Sequence, residues 1–413
     1  VVILQFVKSL VTNRLTMLWF LNFSYPMRVF FLITCLFSLT SKAQQVRKID
    51  LETGFKDQTR EILVRVPNSY ATELEKKYEV IYVFDAQGDE YFELVYSSLD
   101  FMKPSGTDFI VVGVPSPYYS KDYNRFHDFL PPSKFPETKI KYGEGNAPAF
   151  LKFVDSTVVK HIEENYRTAP TRIAVGHSNG GAFLIYTMME RPELFDVFIA
   201  LSPNFAFDQE QLNDRIRNFN PETLPNQKYV FISHANESDE TGWPNWQRGR
   251  DNTYRLLREP NWQECIHLTV KPFPNETHAS TYPIGVITGF SDYFRYLYYD
   301  YTQLKDYVDK LYLADPNSID AEELNGYAYN LQKRDQTDNA MKLLLYANKL
   351  FPTDLEIALS IGDLYRTKND RKRALEYFNK YSYLLENQRN DLRKGTYPEL
   401  KRIIDLKIKK LIN

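Results

Sequence analysis

The segment Gly176-His177-Ser178-Asn179-Gly180-Gly181 sets a serine between glycines in a G-x-S-x-G pattern. A serine hydroxyl attacks an acyl carbon only when a neighbouring base takes its proton, and this pattern is the sharp turn on which hydrolases raise such a serine. The bare pattern arises by chance in about one chain in seven of this length, at a usage of roughly 7% for Gly and similar for Ser. Its setting is more specific. The strand-like run R-I-A-V precedes it and the apolar helical run Ala182–Met189 follows. Side chains at the flanking glycines would collide in so tight a turn, and the following helix brings partial positive charge beside a developing oxyanion. The competing reading is a glycine-rich strand-to-helix turn that binds phosphate.

A nucleophilic serine needs a base, and the chain has six histidines. His161 falls on an amphipathic helix, His177 precedes the serine, and His267 falls in a strand. His127 comes before the serine, and His234 ends a strand too early. His278 occupies a loop just after the last expected strand, where an α/β-hydrolase presents its histidine. The acid should follow the strand at Tyr229–Ser233, in the loop H-A-N-E-S-D-E. Glu237 stands nearest the strand end and is preferred; Asp239 and Glu240 are alternatives in a stretch that Gly242 and Trp243 are expected to turn toward solvent. One carboxylate is enough to hold the imidazole tautomer, and a Ser–His pair without it remains an alternative. The oxyanion donors are expected to be the Asn179 backbone N–H and that of Ala86 or Gln87. Arg125, with the aromatic loop around it, and Trp243 and Trp246, beside Arg248 and Arg250, are candidate pocket residues for an aromatic or anionic acyl group. The bland alternative is a tyrosine-rich surface. The chemistry calls for no metal and no cofactor.

Positioning these residues requires a sheet. From residue 46 to about 300, short β-rich runs alternate with amphipathic stretches, as in an α/β fold. Strands are expected at Val46–Glu52, Thr59–Val66, Tyr78–Asp85, Phe109–Val114, Arg172–Val175, Val197–Leu201, Tyr229–Ser233 and Ile266–Phe273. The first two alternate polar and apolar residues, as half-exposed antiparallel edge strands do. The later ones are continuous apolar runs suited to strands buried on both faces. Phe150, Phe153, Val154, Thr157, Val158 and Ile162 recur at helical spacing and predict a helix.

After residue 300 the strand signals stop. Leu324, Tyr327, Ala328, Leu331, Ala340, Leu344, Ala347 and Pro352 have counterparts 34 residues later at Ala358, Ile361, Gly362, Tyr365, Ala374, Phe378 and Tyr381, with Glu386 in the Pro position. This period resembles the tetratricopeptide repeat. Two repeats fall below the usual minimum for a free solenoid, so they are expected to pack on the hydrolase or on flanking helices. Because the candidate triad precedes residue 300, a chain ending there is expected to keep its activity.

At the other end, residues 27–45 read as a secretory signal peptide: Arg28, an apolar run, then Ser41 and Ala43 before a cut after Ala43. The run Val29–Leu39 is too short to span a bilayer. Residues 1–26 read as an upstream extension, the alternative being a membrane anchor made from both apolar stretches. Cys265 is then the one cysteine of the mature chain, so no internal disulfide forms, which suits a bacterial envelope. With 51 basic and 53 acidic residues, the chain lacks the basic footprint of a nucleic-acid binder. Its 43% hydrophobic content supports a buried core.

The motifs Y-E-V-I-Y-V-F-D-A, F-I-V-V-G-V with the later R-F-H-D-F-L-P, G-H-S-N-G-G and E-T-H-A-S together resemble the "Putative esterase" family of α/β-hydrolases over residues 46–300. That family includes enterochelin- and bacillibactin-type siderophore esterases, feruloyl and acetyl-xylan esterases and S-formylglutathione hydrolases. The resemblance implies a mostly parallel eight-stranded sheet with flanking helices, a serine nucleophile at Ser178, a base at His278 and an acid matching Glu237. It departs at Asp85-Ala86, where the family often has D-G. The expected organisation is an extension and signal peptide over 1–43, an esterase domain over 46–300 and an all-α helical-repeat domain over 301–413. The expected function is a periplasmic or secreted esterase acting on siderophore or other acyl esters through an acyl-enzyme. It would touch the membrane only through its signal segment and hold a protein partner through the repeats. The alternative is a catalytically silent fold serving the repeats as a scaffold.

Overall fold

The computed structural model describes residues 46–412 apart from 54–58, 105–106, 118–123, 391 and 393–394. The expected signal segment and its cleavage point lie outside the described residues. Eight strands form one sheet: β1 Arg47–Glu52, β2 Thr59–Arg65, β3 Tyr78–Phe84, β4 Phe109–Val114, β5 Thr168–His177, β6 Val197–Leu201, β7 Lys228–His234 and β8 Ile266–Pro272. Their order is β1-β2-β4-β3-β5-β6-β7-β8. β1 and β2 are antiparallel and β2 meets β4 antiparallel; every pairing from β4 to β8 is parallel. β2 departs from a half-exposed edge strand. It lies between β1 and β4, so Ile62–Arg65 are buried.

Parallel strands need crossovers, and these put helices on both faces. In β3, Tyr78, Val80, Tyr82 and Phe84 point into one apolar core, and Ile81 and Val83 into the other, as the two-residue period demands. Helices α1 (Asp89–Met102) and α4 (Thr281–Tyr298) cover the second core. The first is covered by α2, which runs through Ala147–Phe153, a π-helical turn Val154–Val159 and Lys160–Asn165, and by α3 (Asn179–Glu190). The π turn adds a residue to the expected helical face, and Val158 and Val159 are both buried.

Six helices follow: α5 Tyr301–Ala314, α6 Ala321–Gln332, α7 Thr337–Leu350, α8 Leu355–Thr367, α9 Arg371–Asn387 and α10 Thr396–Ile412. α8 and α9 begin 34 residues after α6 and α7 (Ala321 to Leu355, Thr337 to Arg371). Gly362 lets α8 and α9 approach, since a Cβ there would meet the Phe378 ring at 2.5 Å. Leu304, Leu324, Tyr327 and Leu344 of these helices belong to the same buried cluster as Ile81, Ile199 and Phe290. Tyr327 stacks on Tyr298 at 4.5 Å, and its hydroxyl lies 3.1 Å from Thr107 Oγ1. Around this contact Tyr307 donates to the buried Glu79 carboxylate. Lys76 Nζ sits 2.8 Å from Asp320 and 3.6 Å from Glu323. No described helix is long and apolar enough to cross a membrane.

Candidate active site

β5 runs straight into the turn at Ser178 and on into α3. Ser178 has φ 59° and ψ −117°, a left-handed conformation that L residues adopt only when the surroundings impose it. Ser178 N–H donates to the Leu201 carbonyl at 2.8 Å, and the Ser178 carbonyl accepts from Ala182 and Asn204. A Cβ at Gly176 would lie 2.7 Å from the Gly180 backbone, and one at Gly180 would lie 3.0 Å from Asp85 Oδ2. Both glycines are therefore steric requirements of the turn. Asn179 is the first residue of α3, where backbone N–H groups have no intrahelical acceptor.

His278 lies between β8 and α4, in a turn closed by hydrogen bonds between Thr277 and Ser280. Its Nδ1 meets Glu237 Oε1 at 2.5 Å, and Glu237 is 2% exposed. A carboxylate accepts, so Nδ1 carries the proton and Nε2 is the basic nitrogen of the neutral ring. Asp239 and Glu240 belong to an exposed turn; Asp239 Oδ1 accepts the Asn245 N–H at 2.7 Å. Gly242, at φ 85°, reverses the chain. The stretch carrying Asp239 and Glu240 faces solvent, as expected, while Trp243 packs on His278 at 4.5 Å, with Trp246 at 4.9 Å.

Ser178, Asn179, His278, Arg125, Trp243 and Trp246 line one cavity of about 540 Å³, with Phe126, Tyr142, Phe207 and Lys141. Ala86 and Gln87 are not among its walls. Ala86 is buried, and the Gln87 side chain bridges Asp85 Oδ1 and the Ser116 N–H. Arg125 faces the cavity with its guanidinium engaged: Nε and Nη2 donate to the buried Asp85 carboxylate at 2.5 and 2.9 Å, and Nη2 also donates to the His177 carbonyl. Arg248 turns away to Glu210 at 2.5 Å. Arg250 donates to the Glu237 carbonyl at 3.4 Å.

Other histidines serve elsewhere. Burial holds the His234 imidazole down, to about 4, and its Nδ1 lies 2.9 Å from the Tyr254 hydroxyl. His177 is also kept neutral: burial, then the neighbouring His278 and Arg125, push it down to about 3. One wall escaped sequence reasoning. Asp208, Gln209 and Glu210 are three consecutive residues at φ 50°, 54° and 68°. Asp208, buried, accepts the N–H groups of Lys134 and Phe135 and thereby fastens this wall to the one carrying Tyr142. No periodic signal marks such a turn, because distant backbone amides stabilise it.

An eight-stranded sheet of this order, with a serine on a strained strand-to-helix turn and a histidine after the last strand, defines the α/β-hydrolase fold. The "Putative esterase" family model matches residues 55–270, and the chain belongs to this family of carboxylic-ester hydrolases. It is 26% identical over 225 residues to the ferri-bacillibactin esterase BesA of Bacillus subtilis, covering 51% of this chain and 76% of that one. It is 30% identical over 125 residues to a siderophore enterobactin esterase of Emericella nidulans, covering 28% of this chain and 41% of that one. Among solved structures, an IroE-like serine hydrolase from Shewanella oneidensis shares the fold at TM-score 0.56 and 21% identity, over 74% of this chain and 99% of its own. An uncharacterised protein from Capnocytophaga ochracea aligns at TM-score 0.54 and 15% identity, over 89% of this chain and 99% of its own. That coverage exceeds what residues 46–300 alone supply.

Proposed function

We propose that the chain is an exported serine esterase working through an acyl-enzyme, with Ser178 as nucleophile, His278 as base and Glu237 as acid. Ser178 Oγ attacks the ester carbonyl carbon as His278 Nε2 takes its proton. The ester C–O bond of the tetrahedral intermediate then breaks, and Nε2 returns the proton to the leaving alcohol. A water deprotonated by Nε2 attacks the acyl carbon, releasing the acid and Ser178. Glu237 keeps the Nδ1 tautomer and offsets the imidazolium charge. The Asn179 N–H, on the cavity wall, receives the oxyanion.

The observation that carries this reading is the short bond from His278 Nδ1 to a buried carboxylate, on an imidazole that shares one cavity with Ser178. The aromatic walls, Trp243 and Trp246 foremost, favour an aromatic acyl group. With relatives named for bacillibactin and enterobactin, this supports a siderophore ester as substrate. The 34-residue helical register supports tetratricopeptide-like units over 301–413, beside an esterase unit over 46–300, that hold a protein partner.

Ser178→Ala should abolish turnover of siderophore, feruloyl and acetylated-sugar esters with the fold intact, a loss of several powers of ten. A fluorophosphonate should label Ser178 alone. Labelling at another serine, or unchanged activity, would overturn the assignment. Export is tested by N-terminal sequencing of protein from the cell envelope, which should begin at Gln44; a start at or before Met27 refutes it.

A further inference from the structure

His177 is used by no step above, yet it is among the most constrained side chains near the site. It is the last residue of β5, directly before Ser178, and is 3% exposed. Its Nε2 lies 2.8 Å from the backbone carbonyl of His278. A carbonyl only accepts, so Nε2–H donates. The two rings lie 4.6 Å apart, and Tyr91 and Tyr282 close the other sides at 6.1 and 5.7 Å. The backbone of the same residue is gripped from behind, where Arg125 donates to the His177 carbonyl at 2.9 Å and is itself anchored on buried Asp85.

We propose that His177 is the positioning residue that sets the base loop against the nucleophile turn, through its hydrogen bond to the His278 carbonyl. The proposal rests on the Ser178–His278–Glu237 reading. Glu237 fixes how the imidazole is rotated and which nitrogen carries the proton. It does not fix where the His278 backbone stands relative to Ser178, because it belongs to the loop after β7. His177 and Ser178 share one peptide unit, so a bond from His177 to residue 278 ties the base directly to the nucleophile. Staying uncharged serves this role. A charged ring there would oppose the imidazolium that forms on His278 during catalysis. Without the donor the partly buried His278 carbonyl loses its partner, and a displacement of about 1 Å between base and nucleophile costs on the order of 100-fold in rate.

The test compares His177→Leu and His177→Phe, which lack a donor, with His177→Gln, whose amide reaches from a similar height. The full chain is used, with rates referred to folded protein by circular dichroism. Expected for the donor-free variants is a kcat lower by about 100-fold with KM within about threefold, and an equal fall in the rate of fluorophosphonate labelling at Ser178. His177→Gln should recover at least about tenfold of that loss. A merely structural role would lower the melting temperature without slowing the labelling of folded molecules. The proposal is overturned if a folded donor-free variant keeps its kcat, if Gln is as poor as Leu, or if neither donor-free variant folds. Ser178→Ala separates the two claims. An active Ser178→Ala overturns the triad and this proposal with it, whereas an inactive one beside a fully active His177→Leu overturns only the proposal.

Discussion

Replacing Glu237 by Gln alters one atom of a buried side chain and removes one charge. The carboxylate is 2% exposed and meets His278 Nδ1 at 2.5 Å, with Trp243 and Trp246 against the imidazole. In the proposed mechanism the imidazole takes the Ser178 proton, and two opposite charges then face each other with centres about 4 Å apart. At an effective dielectric of about 20 this is worth about 4 kcal/mol, or roughly 10³ in rate. An amide also offers N–H to Nδ1, which favours the tautomer whose Nε2 is protonated and cannot accept from Ser178. The combined expectation is a kcat lower by about 10³–10⁴ with KM little changed. The assay is steady-state hydrolysis of a short-chain p-nitrophenyl ester. Asp239→Asn and Glu240→Gln serve as companions, each expected within about threefold of the parent, because both residues stand in an exposed turn and Asn can still accept the Asn245 N–H. A large loss in Asp239→Asn with Glu237→Gln nearly intact would falsify the acid assignment. No loss in any of the three would mean a Ser–His pair.

Two further outcomes concern the helices after residue 300. Tyr327, stacked on Tyr298 and 1% exposed, should cost about 3–5 kcal/mol when replaced by Ala; urea unfolding followed by circular dichroism and by activity should then shift as one transition. The shared core also reverses the expectation that a chain ending near residue 300 stays active, since it would bare Tyr298, which packs on Tyr307 and Tyr327; a soluble, active truncation refutes this. Glu79 adds a pH dependence, because burial raises its carboxyl to about 7 from an ordinary 4.5. The folded state therefore holds the proton more tightly, and this group's contribution to stability falls as pH rises between those values, by on the order of 3 kcal/mol. Glu79→Gln should gain on the parent in urea midpoint at pH 8 relative to pH 5; an unchanged difference refutes it.

What could be read along the chain was local. Strand positions followed from apolar runs, since a strand's two-residue period and length are properties of one segment. Only ends shifted, as at β5, which runs from Thr168 rather than Arg172. The turn at Ser178 was legible because Gly176 is required by the Gly180 backbone only four residues on. The 34-residue register was likewise a pattern in the chain itself. Tertiary structure decided what depends on segments far apart in sequence. Three carboxylates stood near the end of β7, and the meeting of β7 and β8 chose the one that reaches His278. Arg125 looked like a ligand for anionic substrates until Asp85, 40 residues earlier, occupied its guanidinium. His177 was passed over as the residue before Ser178, and its partner lies 101 residues on. The left-handed run at Asp208–Glu210 exists because Lys134 and Phe135 present their amides to Asp208. A sequence states which groups can bond; which of them are brought within 3 Å is set by the packing of the whole sheet and its helices.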